Sequence, residues 1–339
     1  MTDSEQLIET LDARVRRRDS RRAFFTGALG AAAGAAALAG TARAQTTPSP
    51  TPTAVFTEAD VLNFALNLEY LEANFYAFAV TGSALATADT SGAIGTAGAA
   101  TGGRAVDFRD PLVAAYAKEI YQDELAHVRF LRSQFTDNTR LAQPAMDLGI
   151  APGGAFSTAA RAAGLVKDGE SFDPYASAES FLLGAYIFED VGVTAYKGAA
   201  PALINNKIYL EAAAGILAVE AYHAAIVRSV LYRKGIETPA SQLIEATAAI
   251  SRARDALDGR PTVDAVRGIA PNDDQGVAAT STADGNASNI VPLNENGIAF
   301  SRSPGQVLNI VYLNAAAVSS GGFFPAGVNG NIKTSAASA

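Results

Sequence analysis

Glu124-Leu125-Ala126-His127 and Glu220-Ala221-Tyr222-His223 are the stretches on which the reading of this chain turns. The chain of 339 residues contains two histidines, and each stands three positions after a glutamate. On an α-helix, residues i and i+3 are neighbours on one face, with Cβ atoms about 5–6 Å apart. A carboxylate and an imidazole so placed can reach one metal ion. Apolar residues at helical spacing point both pairs inward. Val113, Tyr116, Ala117, Ile120, Val128 and Leu131 share the face of the first pair, and Tyr209, Ala213, Ile216, Val227 and Leu231 that of the second. A carboxylate in such a place is costly without a partner, and a cation would neutralise it. A hydrogen-bonded Glu–His pair in a helix core is the alternative that the same spacing leaves open.

Each motif sits on a long predicted helix. Asp110-Pro111 supplies a cap and a first-turn proline for a helix to about Phe135; the other motif-bearing helix runs from about Asn206 to Lys234, where Gly235 stops it. Two more helices are predicted. Thr57-Glu58-Ala59-Asp60 resembles a capping box with Asp in the place of Glu and opens a helix to about Val80. The other spans about Ala176 to Lys197, ended by Gly198 and Pro201. Both carry an inward carboxylate: Glu69 lies among Leu62, Ala65, Leu66, Ala73 and Tyr76, and Glu189 among Leu182, Ala185, Tyr186, Val193 and Tyr196. Glu69 precedes Tyr76 by the same interval as Glu189 precedes Tyr196, an echo that duplication of a helix pair would leave. Glu72, one turn from Glu69, is either a seventh ligand or a carboxylate at a solvated edge. Asp190 is expected at the surface, and Tyr76, Tyr116, Tyr186, Tyr196 and Tyr222 are expected to serve as core packing, with a redox relay the alternative.

Between these helices the segment 81–106 is rich in Gly, Ala, Ser and Thr and reads as a long loop, and Gly149 to Gly169 as a second irregular connection. A shorter fifth helix is predicted over Pro239 to Leu257. Beyond Gly259 the pattern dissolves into Asp/Asn/Gly/Pro-rich sequence, with Pro304 to Leu313 alone looking helical. Phe300, Phe323 and Phe324 are expected to pack this tail on the helices. The predicted class is therefore all-α: a four-helix bundle with a fifth short helix over residues 57–258, and a largely irregular C-terminal extension over 259–339.

Composition removes several function classes. With no cysteine there are no disulfides, thiolate metal sites or cysteine nucleophiles. The formal net charge is −8, and no long basic run lies beyond the first 22 residues, so nucleic acid is not an expected partner. At the N-terminus, Ser20-Arg21-Arg22-Ala23-Phe24-Phe25 opens an uncharged run that ends at Ala42, and Ala42-Arg43-Ala44 supplies a small-x-small cleavage site. Residues 1–44 resemble a twin-arginine export signal, and the Thr/Pro-rich residues that follow read as a linker over 45–56. A retained membrane anchor is the alternative, disfavoured because Ala and Gly offer lipid little apolar area. The expected product is exported, to a periplasmic, cell-envelope or extracellular location, with no stable membrane span in the mature chain.

Two inward glutamates and two Glu-x-x-His pairs on four helices resemble the ferritin-like superfamily of di-iron or di-manganese carboxylate proteins. Rubrerythrin, bacterioferritin and manganese catalase are similar in this pattern. From about residue 57 to the C-terminus, the chain resembles the exported ferritin-like family related to plant desiccation-related proteins. Asn67-Leu68-Glu69-Tyr70-Leu71-Glu72, Gly297-Ile298-Ala299-Phe300-Ser301-Arg302 and Gly321-Gly322-Phe323-Phe324-Pro325 carry that likeness. The resemblance implies a ligand set of Glu69, Glu124, His127, Glu189, Glu220 and His223 holding two Fe or Mn ions. It further implies action on dioxygen or peroxide in oxidative or desiccation stress. A non-enzymatic envelope scaffold with a structural or vestigial metal site is the alternative, and iron storage a weaker one. Metal ions and small oxygen species are the expected partners, and an oligomer is compatible with this reading.

Overall fold

The computed structural model describes residues 56–338; the expected signal over 1–44 and the linker, save Phe56, lie outside them. Helix α1 (Glu58–Thr81) begins at a capping box: the Asp60 amide donates to the Thr57 hydroxyl at 3.1 Å, and the Thr57 amide donates to the Asp60 carboxylate at 2.8 Å. A loop follows, containing the single turn α2 (Thr87–Thr90) and strand β1 (Ala100–Thr101), which pairs in parallel with β2 (Met146–Asp147). Helix α3 (Pro111–Ser133) lies between these strands, capped by the Asp110 carboxylate, which accepts from the Leu112 amide. Helices α5 (Ala178–Ala199) and α6 (Lys207–Glu237) start at the side-chain caps Ser177 and Asn206. Pairs α1/α3 and α5/α6 pack as two hairpin-like halves and face each other to form the bundle.

Four details differ from expectation, and the first three have a reason that lies outside the local sequence. The Gly149–Gly169 connection contains helix α4 (Ala155–Ala162), too short for its periodicity to register. It is held by Phe156, which is buried against Phe75, Phe188 and Phe323. Helix α6 continues past Gly235 to Glu237. A Cβ at Gly235 would lie 2.7 Å from Ile244 Cγ1, so this glycine admits α7 (Leu243–Asp258) close to α6 and does not end the helix. Asp190 is not at the surface: it is buried, and its Oδ2 accepts from Arg228 at 2.8 Å and Arg254 at 3.0 Å, arginines brought by α6 and α7. Tyr222, expected in the core, is 72% exposed.

The chain after α7 is largely irregular, with a small exposed hairpin of β3 (Thr280–Thr282) and β4 (Gly285–Ala287) and the short helix α8 (Pro304–Val311). It packs on the helices. Phe300, Phe323 and Phe324 are buried, and the Phe323 ring meets Phe156 and Phe188 edge-on at centroid separations of 5.0 and 4.9 Å. Asn329 acts as a polar tie. Its amide donates to Asn67 Oδ1 on α1, while its side chain accepts from the Thr96 amide and donates to the carbonyls of Thr96 and Ala142. Helix α6 is the one described helix long and apolar enough to cross a membrane, but its face bearing Glu220, His223 and Arg228 is buried in the bundle.

If the extension belongs to the cooperative core, Phe323→Ala should lower unfolding free energy by about 3–5 kcal/mol, the usual loss for a buried phenylalanine. Urea denaturation would measure it. A loss below ~1 kcal/mol, within the range of surface substitutions, would mean that the extension is energetically separate.

Candidate metal centre

Helices α1, α3, α5 and α6 each bring one glutamate to the middle of the bundle, and α3 and α6 add an imidazole one turn later. Glu69, Glu124, Glu189, Glu220, His127 and His223 are all buried. One ligand atom from each of Glu69, Glu124, His127 and Glu220 falls within a 4.8 Å cluster, and Glu189, Glu220 and His223 form a second. Glu220 is common to both. Glu124 also stands between the halves, its Oε1 2.9 Å from His223 Nδ1 and its Oε2 3.6 Å from His127 Nδ1. Glu69 Oε2 lies 3.3 Å from His127 Nδ1, and Glu189 Oε2 3.8 Å from His223 Nδ1.

These atoms approach one another without satisfying one another. Glu69 Oε2, both oxygens of Glu124 and of Glu220, Glu189 Oε2 and the Nδ1 atoms of His127 and His223 are buried and have no hydrogen-bond partner. Orphaned polar atoms are rare in a protein interior, and a convergent set is a demand for a ligand. The donor set of carboxylate oxygens and two imidazole nitrogens fits metal cations, and the four glutamates that carry these orphaned atoms would balance two divalent charges.

The surrounding groups orient this set. Tyr76 on α1 donates to Glu189 on α5, and Tyr196 on α5 donates to Glu69 on α1. Each tyrosine therefore holds the outer oxygen of the other half's glutamate and leaves Oε2 facing the centre. His223 Nε2 lies 3.1 Å from Asp123 Oδ2, a contact that directs its Nδ1 inward. Sequence reading missed Asp123, although it immediately precedes Glu124; the corresponding residue before Glu220 is Val219, so the two imidazoles are not equivalent. Tyr76 and Tyr196, expected as core packing, instead orient carboxylates, and their shared spacing from Glu69 and Glu189 is the sequence signal for that role.

Glu72 is buried, not solvated. A Cβ at Gly192 would lie 2.4 Å from Glu220 Oε2 and 3.4 Å from Glu72 Oε1, so the absence of a side chain there makes room for both carboxylates. Glu72 and Gly192 also line a cavity of about 20 Å³ with Leu68, Leu71, Val191 and Phe323.

Electrostatics follow from five buried carboxylates around two imidazoles. Burial and then the Glu124 charge push Glu69 up to about 7. Burial pushes Glu189 up to about 8 over the opposing pull of His223. Burial and neighbouring carboxylates hold Glu72 and Glu220 well above the ordinary glutamate range. Glu124 moves the other way: burial opposes its ionisation, but the two histidines beside it outweigh that cost. Burial disfavours charged imidazoles, yet Glu69 and Glu124 raise His127 to about 11, and Glu124 and Glu189 raise His223 to about 9.

Two outcomes should follow in solution. Raised glutamate and histidine values stabilise the metal-free fold fully only below their unfolded values, and that stability is lost as pH rises through the folded ones. The unfolding temperature of metal-free protein should therefore fall progressively between about pH 4.5 and 9, whereas metal, by replacing these protons, should flatten the profile; parallel profiles would mean that cations do not displace the protons. Gly192→Ala should disturb Glu220 and cut metal content at least tenfold by elemental analysis, while circular dichroism shows a retained helical fold. Full metal content in this variant would disprove the packing account.

Comparison with known proteins agrees with this architecture. The ferritin-like domain family matches residues 57–233. The chain is 30% identical over 279 residues to the ferritin-like catalase Nec2 of Nesocodon mauritianus, covering 80% of this chain and 84% of that protein. It is 30% identical over 271 residues to the desiccation-related protein PCC13-62 of Craterostigma plantagineum, covering 79% and 82%. No solved structure matches it significantly. With four helices converging on paired Glu-x-x-His motifs, and a match across the whole bundle, this chain belongs to the ferritin-like domain family.

Proposed function

We propose that the protein is an exported di-metal carboxylate enzyme that consumes peroxide, using two iron or manganese ions. The observation that carries this reading is the convergence of unpartnered buried oxygens and imidazole nitrogens on one point of the bundle. Glu69 and His127 would hold one ion, Glu189 and His223 the other, with Glu124 and Glu220 between them. Mixed imidazole and carboxylate donors suit iron or manganese better than copper or magnesium. Such a pair of ions, when bound, supplies two-electron exchange with small oxygen species.

The protein's own groups suit a small, uncharged substrate. The cavity at Glu72 and Gly192 has room for about one water-sized molecule and is otherwise walled by apolar side chains. Disproportionation converts two peroxide molecules into two waters and dioxygen, which requires protons to pass from one peroxide to the other. Glu72, buried and biased toward its protonated form, lines that cavity and can take and return the proton. Tyr76 and Tyr196 keep the outer glutamates in place during turnover. The catalase named among the relatives supports this chemistry. The twin-arginine-like leader supports export, and that route accepts folded proteins with metal already loaded.

The test combines metal content with turnover. Protein purified without chelator should carry close to two iron or manganese ions per chain and release dioxygen from hydrogen peroxide. Glu124→Ala and Glu220→Ala should each lower metal content and reduce peroxide turnover at least a hundredfold, while Glu170→Ala in a loop leaves both unchanged. Two ions without peroxide turnover would favour the scaffold reading, for which the desiccation-related relative is the supporting observation. Iron retained far beyond two ions per chain would favour storage.

A further inference from the structure

A second acidic cluster lies away from the bundle centre, where the C-terminal extension meets α7. One carboxylate oxygen from each of Asp255, Asp273 and Asp274 falls within 4.8 Å of the others. Asp255 belongs to α7 and is half-buried; Asp273 and Asp274 belong to the extension and are buried. We propose that these three aspartates form a calcium site that fastens the extension to the bundle.

The charge around the cluster is unbalanced. Arg302, itself fully buried, donates from Nε to Asp258 Oδ2 at 2.7 Å and from Nη2 to Asp273 Oδ1 at 3.0 Å and to Asp274 Oδ2. Arg254 Nη2 meets Asp274 Oδ1 at 2.5 Å and Asp190 Oδ2 at 3.0 Å, and Arg228 closes the other side of Asp190. Five carboxylates thus face three guanidinium groups. Two negative charges are left in a place largely shut off from water, where uncompensated charge is costly.

An unpartnered oxygen of Asp273 points the same way. Asp273 is 4% exposed, and while its Oδ1 is held by Arg302, its Oδ2 is buried with no hydrogen-bond partner. Arg254 Nε in the same cluster also lacks one, so water is the competing occupant. Water would hydrogen-bond such atoms but neutralise neither excess charge. Protons are the other competitor: burial raises Asp255 and Asp273 to about 7 each, so above that range the cluster regains its negative charge.

Donor type selects the cation. All three side chains offer oxygen and none offers nitrogen, which suits a hard ion, unlike the imidazole-bearing bundle centre. Calcium takes six to eight oxygens in irregular arrangements, whereas magnesium requires near-octahedral geometry. Asp273 and Asp274 also border a cavity of about 80 Å³, roomy enough for water, on the side of Thr194 and Arg302; Asp255 lies outside its lining.

The experiment is calorimetric titration of calcium chloride into the full chain, carrying its bundle metals, at pH 8. One saturable calcium per chain is expected, with an upward shift in unfolding temperature that magnesium at equal concentration does not reproduce. Asp273→Asn should weaken calcium binding at least tenfold, and so should Asp255→Asn, whose partly exposed position on α7 guards against misfolding. Glu124→Gln should leave calcium binding intact, which separates this site from the bundle centre. Absence of saturable binding, or binding unchanged in both aspartate variants, would overturn the proposal and assign the cluster to water and protons.

Discussion

The structure depends on placing the five carboxylates of Glu69, Glu72, Glu124, Glu189 and Glu220 in the dry centre of a helical bundle with only two imidazoles among them. In isolation such an arrangement would push the helices apart, because like charges in a low-dielectric interior repel strongly. The rest of the architecture can be understood as containing that repulsion. Two helix pairs surround the centre with apolar residues, and the tyrosine hydroxyls of each half bind the glutamate of the other. Burial biases the raised carboxylates of Glu69 and Glu189 toward their protonated forms.

The cross-bracing by Tyr76 and Tyr196 ties fold to site. Each hydrogen bond spans the interface between the α1/α3 and α5/α6 halves, so the same contacts that join the halves also aim Glu69 and Glu189. The arrangement has an approximate twofold character, broken at Asp123, which supports His223 and has no acidic counterpart before Glu220. That asymmetry gives the two imidazoles different surroundings within otherwise similar halves.

The C-terminal extension has a parallel role at the periphery. Phe323 completes an aromatic cluster with Phe156 and Phe188, and the same residue lines the small cavity beside Glu72. Arg302 enters a second buried charge cluster, binding Asp258 at the end of α7 and Asp273 and Asp274 in the segment that follows it. The extension is thus irregular in backbone but extensively anchored. Anchors of this kind replace the regular hydrogen-bond ladders that an irregular segment lacks.

Local sequence determined the helices, because capping residues and apolar periodicity act within a few residues of one another. Thr57, Asp110 and Asn206 mark their starts, and the inward faces around Glu69, Glu124, Glu189 and Glu220 follow from helical spacing alone. The i, i+3 relation of Glu124 to His127 and of Glu220 to His223 is likewise a local property. Tertiary structure alone decided which glutamates stand between the halves, that Asp123 reaches His223 from another helix, and that Asp190 is buried beneath Arg228 and Arg254. It also decided that Ala155–Ala162 is helical, since the burial of Phe156 comes from residues far away in the chain. The division has one physical cause. Helical geometry relates residues a turn apart, whereas the partner of a buried charge or aromatic ring is set by how whole elements pack, and no local spacing encodes it.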